Sequence, residues 1–155
     1  TGVRVSELIG IQLEDIYLDR KQIKILGKGA KERYVYFDDQ TKACLHTYLK
    51  EARPSLTGKK KNNDLLLTQN GGPLTARGVR YLLNKIIQKT SIEKNISPHM
   101  LRHSFATSLL NEGCDIMSVQ ELLGHANLSA TGIYTHVTND RLKEVYYKAM
   151  PRAKK

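Results

Sequence analysis

The chain has 155 residues, enough for one domain with a proper hydrophobic core and too few for two of ordinary size. Its 25 Lys and Arg against 15 Asp and Glu leave a formal charge of +10, which points to a polyanionic partner such as nucleic acid, although dispersed surface lysines would give the same balance. With 40% hydrophobic residues it is no disordered tail, and no apolar run reaches membrane-spanning length. Cys44 and Cys114 spell neither a disulfide framework nor a zinc spacing, as expected of a protein in a reducing cytoplasm with no signal peptide.

In chain order, "RVSELIGIQ" reads as a short helix. Three alternating β-rich runs follow at Asp15–Leu18, Gln22–Leu26 and Arg33–Phe37, joined by a turn at Asp19-Arg20 and a hairpin at Gly27–Lys31. They predict a small antiparallel meander. "DDQTKACLHTYLKEAR" reads as a helix that stops before Pro54. "SLTGKKKNN" is a polar, basic loop, "LLLTQNGGPLT" a short extended run with a turn, and "TARGVRYLLNKIIQKTS" a further helix. "SPHMLRHSFATSLL" opens another, with Ser97 as cap, Pro98 in the first turn and Leu101, Phe105 and Leu109 as a core stripe. "DIMSVQELLGH" places Gly124 at a helix C-cap, and "SATGIYTHV" and "NDRLKEVYYKAM" are the last two helical stretches. The expected fold is mainly α (α+β), a helical bundle with a three-stranded antiparallel sheet near its N-terminus.

Cations crowd the opening of the Ser97 helix. At about 100° per residue, His99 and Arg102 lie about 60° apart, at the rim of the core stripe. A guanidinium there needs a partner for its planar fork. A carboxylate would serve, as a structural ion pair; a phosphate oxygen would serve too, since a helix N-terminus offers free N–H groups and a positive dipole end. His99 and His103 also have the i, i+4 spacing of a metal pair, but without an HExxH glutamate or a third ligand. Arg4 opens the first helix with Glu7 one turn on, able to orient it. Lys28 lies at a glycine-flanked hairpin tip, His125 follows a helix C-cap, and Tyr134 sits in a short helix where an isolated tyrosine would be core.

Taken together, "TGVRVSEL", "GKGAKER", "HMLRHSFAT", "LLGHANLS" and "IYTHV" resemble the tyrosine recombinase (phage-integrase) family, and within it the Xer type, over essentially the whole chain. The resemblance implies that Arg4, Lys28, His99, Arg102 and His125 are catalytic and that Tyr134 is the nucleophile. Gly132 is the small departure, two residues before Tyr134, where such proteins often carry a longer polar residue. The implied activity is site-specific DNA recombination of the chromosome-dimer-resolution type, through a 3′-phosphotyrosyl intermediate and with no metal or other cofactor. The alternatives are an integrase of a mobile element or a type IB topoisomerase, which share this chemistry, and a catalytically silent DNA-binding relative that has kept the fold and lost catalysis. Glu7 and His103 are expected to support the site from behind. Lys59, Lys60, Lys61, Arg77 and Arg80 are candidates for phosphate contacts along DNA.

The implied partners are a double-stranded DNA recombination site, a homo- or hetero-tetramer with a partner recombinase, and a DNA translocase; no membrane is involved. The implied location is cytoplasmic, at the nucleoid. Residues 1–155 are expected to be one catalytic domain, truncated on its N-terminal side and without the family's core-binding domain.

Overall fold

A computed structural model describes residues 1–27, 31–58, 61–90, 96–124 and 136–150. In chain order it contains α1 (Val5–Ile9), a 3-10 turn (Leu13–Asp15), β1 (Ile16–Tyr17), β2 (Gln22–Leu26) and β3 (Glu32–Tyr36). These are followed by α2 (Asp39–Thr47), α3 (Arg53–Thr57), α4 (Ala76–Ile87), α5 (Pro98–Asn111), α6 (Ile116–Leu123) and α7 (His136–Ala149). The expected mainly helical fold with a three-stranded antiparallel sheet is what forms. None of the described helices is long and apolar enough to cross a membrane.

The sheet is a meander in the order β1-β2-β3, with Ile16 opposite Ile23 and Ile23 opposite Val35. Near its far end Ile25 faces Arg33 and Leu26 faces Glu32, and the Gly27 N–H donates to the Lys31 carbonyl at 2.8 Å just beyond. The alternation of side chains along a strand divides β3 between two cores. Val35 and the following Phe37 pack with Ile11, Ile23, Ile25 and Leu65, whereas Tyr36 joins Leu109, Val119, Leu122, Leu142 and Tyr146. The sheet is thus the wall between an N-terminal half and a bundle of α5, α6 and α7.

Two expectations are corrected. The helix does not stop before Pro54: α2 passes through a π-helical turn at Tyr48–Ala52 into α3, where Pro54 occupies the first turn. Proline lacks an N–H, and its ring collides with the carbonyl four residues back. A widened turn, with the Arg53 N–H donating to the Tyr48 carbonyl, makes room for it. The α5 stripe is also rotated from its expected setting. Leu109 is fully buried, but Leu101 is 49% exposed, on an apolar groove that it shares with Val79, Leu83 and Phe105.

Candidate active site

Two short motifs bring cations to one place, and a third brings carbonyls that accept from them. At the start of α1 the Glu7 carboxylate accepts the Arg4 backbone N–H at 2.7 Å and an Arg4 side-chain N–H at 2.9 Å, which fixes the arginine at the helix entrance. At the start of α5 the Ser97 hydroxyl accepts the Met100 N–H at 3.2 Å, so the first turn, with His99 and Arg102, is held in register. At the end of α6 Gly124 takes the left-handed conformation, φ +66°, and closes the helix with its N–H on the Gln120 and Glu121 carbonyls.

Arg102 is buried, and its guanidinium donates to the Gly2 carbonyl and, at 2.6 Å, to the Leu123 carbonyl. Gly2 has φ +62°, and a Cβ there would stand 2.3 Å from the Phe105 ring; only glycine can offer its carbonyl to Arg102 in this way. Arg4 donates its other terminal nitrogen to the Gly124 carbonyl at 3.3 Å. A guanidinium has five N–H groups. Among the described residues these contacts engage two of them on Arg102 and two on Arg4, and no described residue takes the rest.

Arg4, His99, Arg102 and Arg80 line one cavity of about 240 Å³, together with Val3 and Pro98. Burial first, and then the positive charge of Arg4 with a smaller push from Arg33, bring the Arg102 pKa down to about 10 against the opposing charge of Glu7. The guanidinium stays protonated at neutral pH, but it lies among like charges that an anion in the cavity would offset. Burial raises the Glu7 pKa, yet hydrogen bonds from Arg33 and Arg4 and the charge of Arg33 outweigh that and leave it below the usual carboxylate range. The carboxylate is therefore ionised, and Arg4, Arg33, Arg102 and Glu7 together carry two net positive charges.

Of the residues singled out from sequence, the structure brings Arg4, Glu7, His99 and Arg102 together. Arg80, expected on the flanking DNA surface, lines the same cavity. Arg77 and Lys61 are exposed. His103 is exposed as well, on α5. Lys28, Lys59, Lys60, His125 and Tyr134 lie outside the described residues. Among those described, no group of three or more His, Cys, Asp or Glu side chains could hold a metal ion.

Arg33 carries no motif, yet it belongs to this cluster, pairing with Glu7 at 2.9 and 3.0 Å. Its signal in the sequence is strand phase: Arg33 alternates with Val35 and Phe37 on the buried positions of "ERYVYF", where a charge needs a partner.

Residues 1–141 match the phage integrase family. The chain is 52% identical over 155 residues to the tyrosine recombinase XerC of Staphylococcus haemolyticus (strain JCSC1435), covering 100% of this chain and 52% of that protein. It thus spans about half the length of the curated relatives it matches. Among solved structures, a XerA recombinase superposes with a TM-score of 0.74 at 33% identity, covering 98% of this chain and 55% of that one. The XerH site-specific recombinase bound to difH substrate, in a pre-cleavage complex, superposes with a TM-score of 0.67 at 36% identity, over 81% of this chain and 36% of that one. By sequence and by fold, this chain belongs to the phage integrase family.

Proposed function

We propose that residues 1–155 are the catalytic domain of a Xer-type site-specific recombinase, which breaks and rejoins DNA through a 3′-phosphotyrosyl intermediate. The observation that carries this reading is the one cavity shared by Arg4, Arg102 and His99, with net positive charge around it and guanidinium N–H groups that no described residue takes. The likeness to XerC supports the Xer type over an integrase of a mobile element. The difH complex of XerH supports double-stranded DNA as the partner. Assembly as a homo- or hetero-tetramer, a translocase partner and a cytoplasmic, nucleoid-associated location belong to the same proposal.

A phosphodiester is anionic, and its pentacoordinate transition state gathers more charge on the non-bridging oxygens than the ground state does. Arg4 and Arg102 aimed at those oxygens therefore favour the transition state over the substrate. The Tyr134 phenol ionises only near pKa ~10, so it needs a base and a positive field. His99 is the base that takes its proton. The phenolate oxygen bonds to phosphorus as the bond to the 5′-oxygen breaks, and Lys28 supplies the proton that leaves with that oxygen. His125 donates to a non-bridging oxygen. The phosphotyrosine keeps the bond energy, so the 5′-hydroxyl of another strand can reverse the step without an external energy source. Lys61, Arg77 and their neighbours Lys59 and Lys60 add backbone contacts that fix affinity rather than sequence.

The test is a nicked suicide substrate given to the full-length protein. A denaturation-resistant protein–DNA adduct is expected with the native residue and none with Tyr134→Phe. No adduct from the native protein, or an undiminished one from Tyr134→Phe, would sink the assignment.

A further inference from the structure

Arg33 is 5% exposed, the most deeply buried charge among the described residues. It lies on β3, one pair in from the last ladder pair of the hairpin, opposite Ile25. Its two terminal nitrogens hold both oxygens of Glu7, at 3.0 and 2.9 Å, and its Nε reaches toward the Leu122 carbonyl at 3.4 Å. The same carboxylate also accepts the two N–H groups of Arg4.

One negative charge thus serves two guanidiniums of unequal need. Arg33 is cut off from water, so its charge has to be met inside the protein. The Arg4 side chain is 40% exposed and partly screened. Glu7 is therefore spent mainly on Arg33, and Arg4 is oriented by the carboxylate without being neutralised by it.

A second pattern points the same way. The carbonyls of Leu122, Leu123 and Gly124, three successive residues at the end of α6, accept from Arg33, Arg102 and Arg4 respectively. Carbonyls at a helix C-terminus have no intrahelical donor and sit at the negative end of the dipole, so cations suit them. Arg33 holds the first of the three. The other two arginines line the cavity from which Arg33 is absent.

We infer that Arg33 is a positioning residue for DNA cleavage: it takes up the charge of Glu7 and anchors the end of α6, so that Arg4 and Arg102 turn their remaining N–H groups and net positive charge toward the scissile phosphate. The inference rests on the function proposed above. Without Arg33, Glu7 has only Arg4 as a direct ion-pair partner, and the cluster drops from two net positive charges to one.

Single-turnover cleavage of the nicked suicide substrate by the full-length protein tests it. Arg33→Met is expected to slow adduct formation about 100-fold at saturating DNA, the order found when a site is misplaced by a distant change. DNA affinity should shift by less than about 3-fold, since the lost interaction acts on the transition state. Adding Glu7→Gln to Arg33→Met removes the unmatched carboxylate and is expected to recover at least about 10-fold, which lost packing alone would not allow. Arg33→Lys keeps the charge but loses the fork that holds both Glu7 oxygens, so its rate should fall between those of Arg33→Met and the native protein.

The inference is overturned if Arg33→Met cleaves like the native protein, if the folded double variant is no faster than Arg33→Met, or if Arg33→Lys loses as much as Arg33→Met. Should Arg33→Met fail to unfold cooperatively, a double variant that folds and cleaves within about 10-fold of native supports the charge account, and one that folds without cleaving overturns it. A native protein that forms no adduct refutes the proposed function itself, whereas native cleavage with indifferent Arg33 variants refutes only the role of Arg33.

Discussion

The two cores on either side of β3 are built from different reaches of the chain. The sheet-side core draws Ile11, Ile23, Ile25, Val35, Phe37 and Leu65 from one continuous N-terminal stretch. The helical core takes Tyr36 from β3 and then Leu109, Val119, Leu122, Leu123, Leu142, Tyr146 and Ala149 from three helices far along the chain. The charged cluster belongs to neither. Arg4, Glu7 and Arg33 come from the sheet side, and Arg102 and the carbonyls of Leu123 and Gly124 from the helical side. The cavity therefore exists only where the halves dock, and its geometry reports how well they do so.

The largest break expected at that seam is Gly124→Ala. A Cβ at Gly124 would stand 2.7 Å from the Arg33 guanidinium carbon, and φ is +66°. The far end of an arginine ordinarily moves aside at little cost, but this one is held by both oxygens of Glu7. The left-handed backbone adds about 1 kcal/mol and disturbance of the buried pair about 2 kcal/mol more. Gly113 is the control: it has φ +82° with nothing within 4 Å of a built Cβ, so Gly113→Ala should cost only about 1 kcal/mol. Denaturant midpoints of the two variants measure the difference; equal losses would show that Arg33 is not held in place at the seam.

Much of each half is legible in the sequence, and the seam is much less so. The β2 and β3 runs announce themselves by period-two alternation around a glycine-bounded turn, and β2 falls on Gln22–Leu26 as expected, with β3 displaced by one residue to Glu32–Tyr36. The end of α6 was readable from Gly124 alone. The setting of α5 was not, because spacing identifies an apolar stripe without saying which flank the fold covers: Arg102 turns inward to carbonyl partners while Leu101 turns out. Nor does any local pattern pair Arg33 with Glu7, 26 residues away, since ion pairs across a fold leave no periodic trace. The cationic first turn of α5 and the Arg4–Glu7 spacing do mark residues that the fold brings to one cavity. Lys28, His125 and Tyr134 draw their roles from the family resemblance alone and lie outside the described residues.

A smaller effect, and one that sharpens the comparison, is acid sensitivity. The Glu7 carboxyl lies below its ordinary value in the folded protein, so its stabilising contribution is fully present above the unfolded value of about 4.3 and is lost as pH falls through the folded one. Glu7→Gln cannot titrate. Its stability curve between pH 7 and pH 3 should therefore fall less steeply than that of the native chain, in urea titrations across that range. Parallel curves would mean that the carboxylate is no better accommodated in the docked seam than in the unfolded chain.

The smallest effect concerns the wall itself. Tyr36 is the one β3 side chain buried in the helical core, and its hydroxyl donates to the Asn139 carbonyl of α7 at 2.6 Å. Tyr36→Phe keeps the ring and removes that donor, so at neutral pH it should cost about 1 kcal/mol, the usual net worth of such a bond. Burial, with the charge of Asp140 next, pushes the Tyr36 phenol well above its ordinary pKa. The neutral form is thus favoured by folding: its contribution is fully present below the unfolded value of about 10 and is lost as pH rises through the folded one. The gap between native and Tyr36→Phe should therefore narrow above pH ~10 in thermal or urea unfolding. A gap that stays constant, or widens, would place the Tyr36 hydroxyl in water and leave the attachment of α7 to β3 to the ring alone.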